Sequence, residues 1–146
     1  MKVYTAALIG VLAAGTGATS LGLAGEMTHS TKPKSTVNVA AVLAQAETLL
    51  NKQMPYMIDK EVRVDRAVAG PGRRMTYHYT LVALNSTQIN SASLAAVMGP
   101  LLRNKVCKTP EAAILFEHGV TSSFAYSDSD GKEIGIVDVT PQDCGR

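Results

Sequence analysis

The chain lacks any excess of charge. Once Lys2 is set aside, 13 Lys+Arg stand against 12 Asp+Glu among its 146 residues. A phosphate-binding protein relies on a basic face, so this balance argues against nucleic acid as a partner. No acidic or basic tail is present. The motifs that announce chemistry are missing too: there is no Gly-x-Ser-x-Gly elbow, no His-Glu-x-x-His, no phosphate-binding glycine loop and no zinc spacing. Cysteine is scarce. Cys107 and Cys144 form no Cys-x-x-Cys pair and neither has a neighbouring His in sequence, which leaves nothing local to lower a thiol pKa for redox or nucleophilic work.

What is present begins with a leader. Lys2 precedes an uncharged run from Val3 to Gly25, with an apolar stretch from Ala6 to Ala14 and a small-x-small site at Gly22-Leu23-Ala24. This is the build of a secretory signal. The alternative is an uncleaved inner-membrane anchor, since the run approaches the ~20 residues that cross a bilayer. The many Gly and Thr residues dilute its hydrophobicity and favour cleavage. No cysteine lies near the site, which argues against a lipid anchor. The expected location is periplasmic or secreted, with an anchored domain facing the periplasm as the alternative. Any membrane contact would run through this segment alone.

Two cysteines in an exported chain are most simply a disulfide. Residues 26–36 carry almost no apolar side chains and include Pro33, so they read as a flexible tether, with His29 a lone exposed imidazole. Residues 37–146 remain as one domain, long enough to bury a core.

Within it, Val39, Val42, Leu43, Ala46, Leu49 and Leu50 recur at helical spacing, predicting a helix from Val37 or Asn38 to Met54 that Pro55 ends. The period then changes to two. Ile58, Val62, Val64 and Val68 alternate with Asp59, Glu61, Arg63 and Asp65; after Gly70-Pro71-Gly72, Met75, Tyr77, Tyr79 and Leu81 alternate with Thr76, His78 and Thr80. This predicts a hairpin. Leu94 to Leu102 marks a second helix, capped by Asn90, Ser91 or Ser93 and kinked or broken at Pro100. Thr109-Pro110-Glu111 opens a third that Gly119 closes, and a last hairpin joins Val120–Tyr126 to Glu133–Val139 through Asp130-Gly131. The fold class is α+β: about four antiparallel strands in two hairpins, three helices packed on one face, order α-β-β-α-α-β-β.

Met54-Pro-Tyr-Met-Ile-Asp-Lys-Glu-Val-Arg-Val-Asp65, Gly70-Pro-Gly-Arg-Arg-Met-Thr-Tyr-His-Tyr-Thr-Leu81, Asn104-Lys-Val-Cys107 and Asp143-Cys144-Gly145 resemble a set of small exported proteins of Gram-negative bacteria. That set has no assigned activity. The resemblance implies export, the disulfide and an envelope location, and it transfers no catalytic residue.

Several constellations invite a functional reading. Arg66, Arg73 and Arg74, with Arg63 further along, are the one local basic concentration and a candidate contact for an anionic partner. Tyr77, Tyr79, Phe124 and Tyr126 could line a ligand pocket between sheet and helices, although such aromatics are more often core. Asp128-Ser-Asp130-Gly131 has the look of a calcium loop, but with Gly131 at the sixth position the first falls on Tyr126 and the twelfth on Val137, so a turn is the better reading. Asp59, Glu61 and Asp65 share a strand face with Arg63, as a charge ladder would. His78 sits between two tyrosines, on the opposite face. His118 suits a helix C-terminus.

The expected function is therefore an exported noncatalytic interaction module of the inhibitor, immunity or accessory kind, with another envelope protein or macromolecule as partner and no cofactor or metal. The alternatives are a periplasmic binder of a small ligand or peptide, and a hydrolase in which His78 or one of Asp59, Glu61 and Asp65 occupies a cleft.

Overall fold

The computed structural model describes residues 37–146; the expected leader and tether lie outside the described residues. In chain order the elements are α1 (Val39–Asn51), β1 (Tyr56–Met57), β2 (Val62–Gly70), β3 (Arg74–Leu81), α2 (Ser91–Val106), α3 (Pro110–Glu117), β4 (Thr121–Ser127), β5 (Glu133–Val139) and a 3-10 turn at Gln142–Cys144. The five strands form one sheet in the order β1-β2-β3-β4-β5. No helix among the described residues is long and apolar enough to cross a membrane.

The α+β class holds, with two differences from the sequence reading. A two-residue strand, β1, is added at the edge, pairing Tyr56 with Val64 and Met57 with Arg63. More consequentially, the central pair is parallel: β3 and β4 run side by side from Arg74↔Thr121 to Thr80↔Ser127. Alternation along a strand says which face is buried and nothing about direction. The direction follows from the connection, since α2 and α3 carry the chain back to the start of the sheet before β4 begins.

Register sorts the side chains onto two faces. One cross-strand row is Tyr56–Val64–Tyr79–Tyr126–Gly135 and the next is Ala67–Tyr77–Phe124–Val137. These rows lie under the helices. Leu94 and Leu102 of α2 and Ala112 and Phe116 of α3 pack with Phe124, Tyr126, Val137 and Val139, while Leu43 of α1 packs with Ala67, Met75 and Val120. Each large side chain so buried contributes about 1.5–3 kcal/mol.

A bulge between Val64 and Arg66 overturns one detail of the expected pattern. The extra residue resets alternation, so Ala67 rather than Val68 faces the helices, fully buried. Helix α2 also runs unbroken through Pro100. Ala96, whose carbonyl loses its partner to the proline, is exposed along with Pro100, so water can satisfy the freed group. Caps fall where side chains allow. Asn38 and Asn90 accept from the N–H groups of Ala41 and Ser93, and Gly119 takes the left-handed angles that close α3.

Gly135 ends the first row for a steric reason. A Cβ there would stand 3.0 Å from the Ser91 Cβ at the start of α2. Cys107, at the C-cap of α2, is bonded to Cys144 in the terminal 3-10 turn, with Cα atoms 5.3 Å apart. Arg103 and Asp143 form an ion pair beside it at 3.4 Å.

Two outcomes follow. Gly135→Leu would force α2 off the sheet and lower unfolding stability by about 1–3 kcal/mol, read by denaturant titration. The Cys107→Ala/Cys144→Ala pair would cost about 2–4 kcal/mol, because the bond closes a loop spanning 37 positions of the unfolded chain; an unchanged melting curve would contradict this.

Candidate interaction surfaces

The four aromatic rings expected around a pocket come together as one stack. Tyr77 and Phe124 lie 5.5 Å apart between centroids, Tyr79 and Phe124 6.2 Å, and Tyr79 and Tyr126 5.2 Å. Phe124 and Tyr126 are buried; Tyr77 and Tyr79 are half-buried. Burial pushes the Tyr126 phenol up to about 12 and raises Tyr77 and Tyr79 as well. These hydroxyls stay protonated at any physiological pH, which suits packing and not proton transfer. A cavity of about 410 Å³ lies elsewhere, between Val37–Ala40 with Leu43 on one side and the Gly70–Arg73 turn on the other.

The four arginines do not gather. The bulge moves Arg66 opposite His78 in mid-strand, and Arg63 turns to Asp65. Arg74 bonds Asp138 at 2.8 Å and also donates to Ser123. Arg73, in left-handed backbone at the tip, donates to the His118 carbonyl at 3.0 Å, which ties the first hairpin to the end of α3. Three of the four thus have protein partners already.

Arg63, Thr80 and Asp65 form one small network on the open face, and Arg74, Ser123 and Asp138 a second. Ser123 is almost fully buried beneath the second, although no helix among the described residues covers it. The expected carboxylate ladder is not a ladder: Asp59 accepts from the Glu61 and Val62 N–H groups in the loop before β2, and Glu61 meets Lys60 there. His78 shares the open face with Arg66, Asp65 and Glu133. Partial burial lowers its pKa and Arg66 lowers it further, against the opposing pull of the two acids. Among the described residues no nucleophile is bonded to this imidazole.

Asp128 performs a role that a sequence reading assigns only to a turn in general. It is 2% exposed. Its Oδ1 accepts from the Asp130 and Lys132 N–H groups at 3.0 and 2.8 Å, and its Oδ2 from Ser86 at 3.0 Å. One carboxylate therefore folds the β4–β5 turn and fixes the loop after β3 to it. Burial alone would raise its pKa; the N–H donors of Lys132, Ser86 and Asp130 outweigh that and hold it below the ordinary value. Asp143 is lowered likewise by the Thr140 N–H and hydroxyl, and by Arg103. Among the described residues, no group of three or more His, Cys, Asp and Glu is arranged to hold a metal.

One further arrangement escapes sequence reasoning altogether. Asn51, the last residue of α1, donates to the Ala67 carbonyl and accepts from the Ala67 N–H, both at 2.8 Å, and Glu47 accepts from Ala69 at 3.0 Å. Helix side chains thereby occupy the edge of β2 beyond the reach of β1. Nothing in the spacing of Glu47 and Asn51, one turn apart on the polar side of a helix, distinguishes them from solvated residues.

Neither protein-family models nor characterised proteins match the chain. Solved structures do. A Pseudomonas aeruginosa protein described as secreted superposes with a TM-score of 0.64 at 12% identity, over 73% of this chain and 92% of its own. The type II secretion system pilotin AspS from Vibrio cholerae gives 0.56 at 17%, over 73% and 93%. The pilotin EpsS of the Vibrio vulnificus type 2 secretion system gives 0.55 at 16%, over 73% and 91%. At these identities the shared property is the fold, and it spans nearly the whole of each neighbour. The neighbours are named for export and secretion, and none for an enzymatic reaction.

Asp128 and Asp143 have lowered folded-state pKa values, so their stabilisation is complete above the unfolded carboxylate pKa of about 4 and is lost as pH falls through the folded value. Thermal melts across acid pH should show this slope, and Asp128→Asn should flatten it while lowering the melting temperature near neutrality. An unchanged slope in the variant would remove Asp128 from the account.

Proposed function

We propose that this protein is an exported, noncatalytic accessory protein of the bacterial envelope that docks onto another envelope protein, as part of a secretion-type assembly. The observation that carries the reading is an apolar stripe the fold does not use. Val97 and Leu101 of α2 stand one turn apart on one helix face and are 60% and 59% exposed. Ile114 of α3 is equally exposed, as are, to a lesser degree, Tyr56, Met57 and Ile58 in succession at the sheet edge. Burying such side chains stabilises a complex and adds nothing to the monomer.

Three supports converge on the same reading. Two neighbours of the same fold are pilotins of type II secretion systems, and a third is described as secreted. The disulfide fits an oxidising compartment. On the open face Arg63, Asp65 and Thr80, and Arg74, Ser123 and Asp138, are engaged with one another.

The test uses the full chain, oxidised, as bait in envelope extract and in crosslinking within living cells. One partner should be captured reproducibly, and Val97→Asp with Leu101→Asp should lower its recovery at least tenfold while the melting temperature moves by no more than a few degrees. Capture that ignores both substitutions, or no reproducible partner at all, would refute the reading.

A further inference from the structure

The two edges of the sheet are treated differently. The β2 side is closed: β1 pairs with Val64 and Arg63, Asn51 takes both backbone groups of Ala67, and Glu47 takes the N–H of Ala69. On the far side β5 pairs with β4, and among the described residues no strand, loop or side chain meets its outward backbone groups. An open seven-residue edge is a template for strand pairing, and proteins ordinarily blunt such an edge. Here one edge is blunted with dedicated side chains and, among the described residues, the other is left bare.

Charge singles out the occupant. From Thr121 to Gly145 the chain carries five acids, Asp128, Asp130, Glu133, Asp138 and Asp143, against Lys132 alone. Asp128 is turned inward and Asp138 and Asp143 are paired with arginines, but Asp130 and Glu133 have no ion pair among the described residues and stand exposed where β5 begins. Ile136, in the middle of the strand on the open face, is 51% exposed. Arg63 and Arg66 lie on β2 and Arg74 on β3, while Arg103 and Arg146 are already paired with Asp143 and Glu117.

We infer that the free edge of β5 receives an extended, cationic segment of the partner protein as a sixth strand, with backbone hydrogen bonds supplying affinity. On the open face an apolar side chain of that segment lies beside Ile136 and a basic one beside Glu133. This rests on the docking role proposed above and adds to it a second contact, distinct from the α2 stripe.

The probe is a ten-residue peptide built on a Lys-Lys-Val-Val repeat, which presents lysine and valine in turn on each face of a strand, compared with its Glu-Glu-Val-Val counterpart, against the full oxidised chain. The lysine peptide should bind with submillimolar affinity that falls as salt rises, and should slow amide hydrogen exchange within 133–139. Ile136→Lys and, separately, Glu133→Lys should each weaken it at least fivefold without lowering the melting temperature, whereas Val97→Asp should leave it unchanged. Equal binding of the glutamate peptide, or binding without protection of β5, overturns the inference. So does protection of β5 by a concentration-dependent dimer without peptide, which would make a second copy the occupant. Loss of peptide binding together with Val97-dependent partner capture would discard the edge and leave the docking role standing.

Discussion

The parallel pairing of β3 with β4 is the constraint from which the rest of the molecule follows. It places Met75, Tyr77 and Tyr79 beside Ser122, Phe124 and Tyr126 on one face, so that the rings stack and α2 and α3 have a surface to pack on. It also dictates a crossover, and a crossover long enough to hold two helices commits all of them to one side. Among the described residues no helix covers the opposite face, which carries polar networks instead.

Much of this was legible residue by residue. Pro110 and Gly119 mark helix ends because each restricts or frees the backbone locally, whereas α1 stops at Asn51, short of the Met54 that Pro55 suggested; the period-two runs mark strands because one face is buried. The disulfide was legible because two cysteines in an exported chain have few other uses. What escaped was everything depending on a partner distant in sequence. Strand direction carries no local signature. The bulge at Asp65 changes which of Ala67 and Val68 is buried, and nothing in the residue types there demands it. The arginines looked like one patch because they are close in sequence, whereas Arg74 bonds Asp138, a carboxylate that only the sheet brings near, and Arg63 bonds Asp65 within its own strand. Glu47 and Asn51 looked solvated, and Asp128 looked like one turn residue among several.

The surfaces that distinguish this chain are those the fold leaves idle. Stability requires the aromatic stack, the helix undersides and the turn held by Asp128. It does not require Val97, Leu101 or Ile114 to be apolar, nor the edge of β5 to be bare when the edge of β2 is so carefully occupied.

The open face has one more implication. Ser123, Ala125 and Thr80 are buried there with no helix above them, roofed by the side chains of neighbouring strands. Arg74 with Asp138, and Arg63 with Asp65, lie over that roof as bonded pairs. Both pairs are partly exposed, so loss of one partner leaves the other charge hydrated and costs about 0–1 kcal/mol. Across descendants of this sequence the arginines are therefore free to vary, whereas the buried Ser123 and Thr80 hydroxyls hold each acid, or another acceptor, in its place.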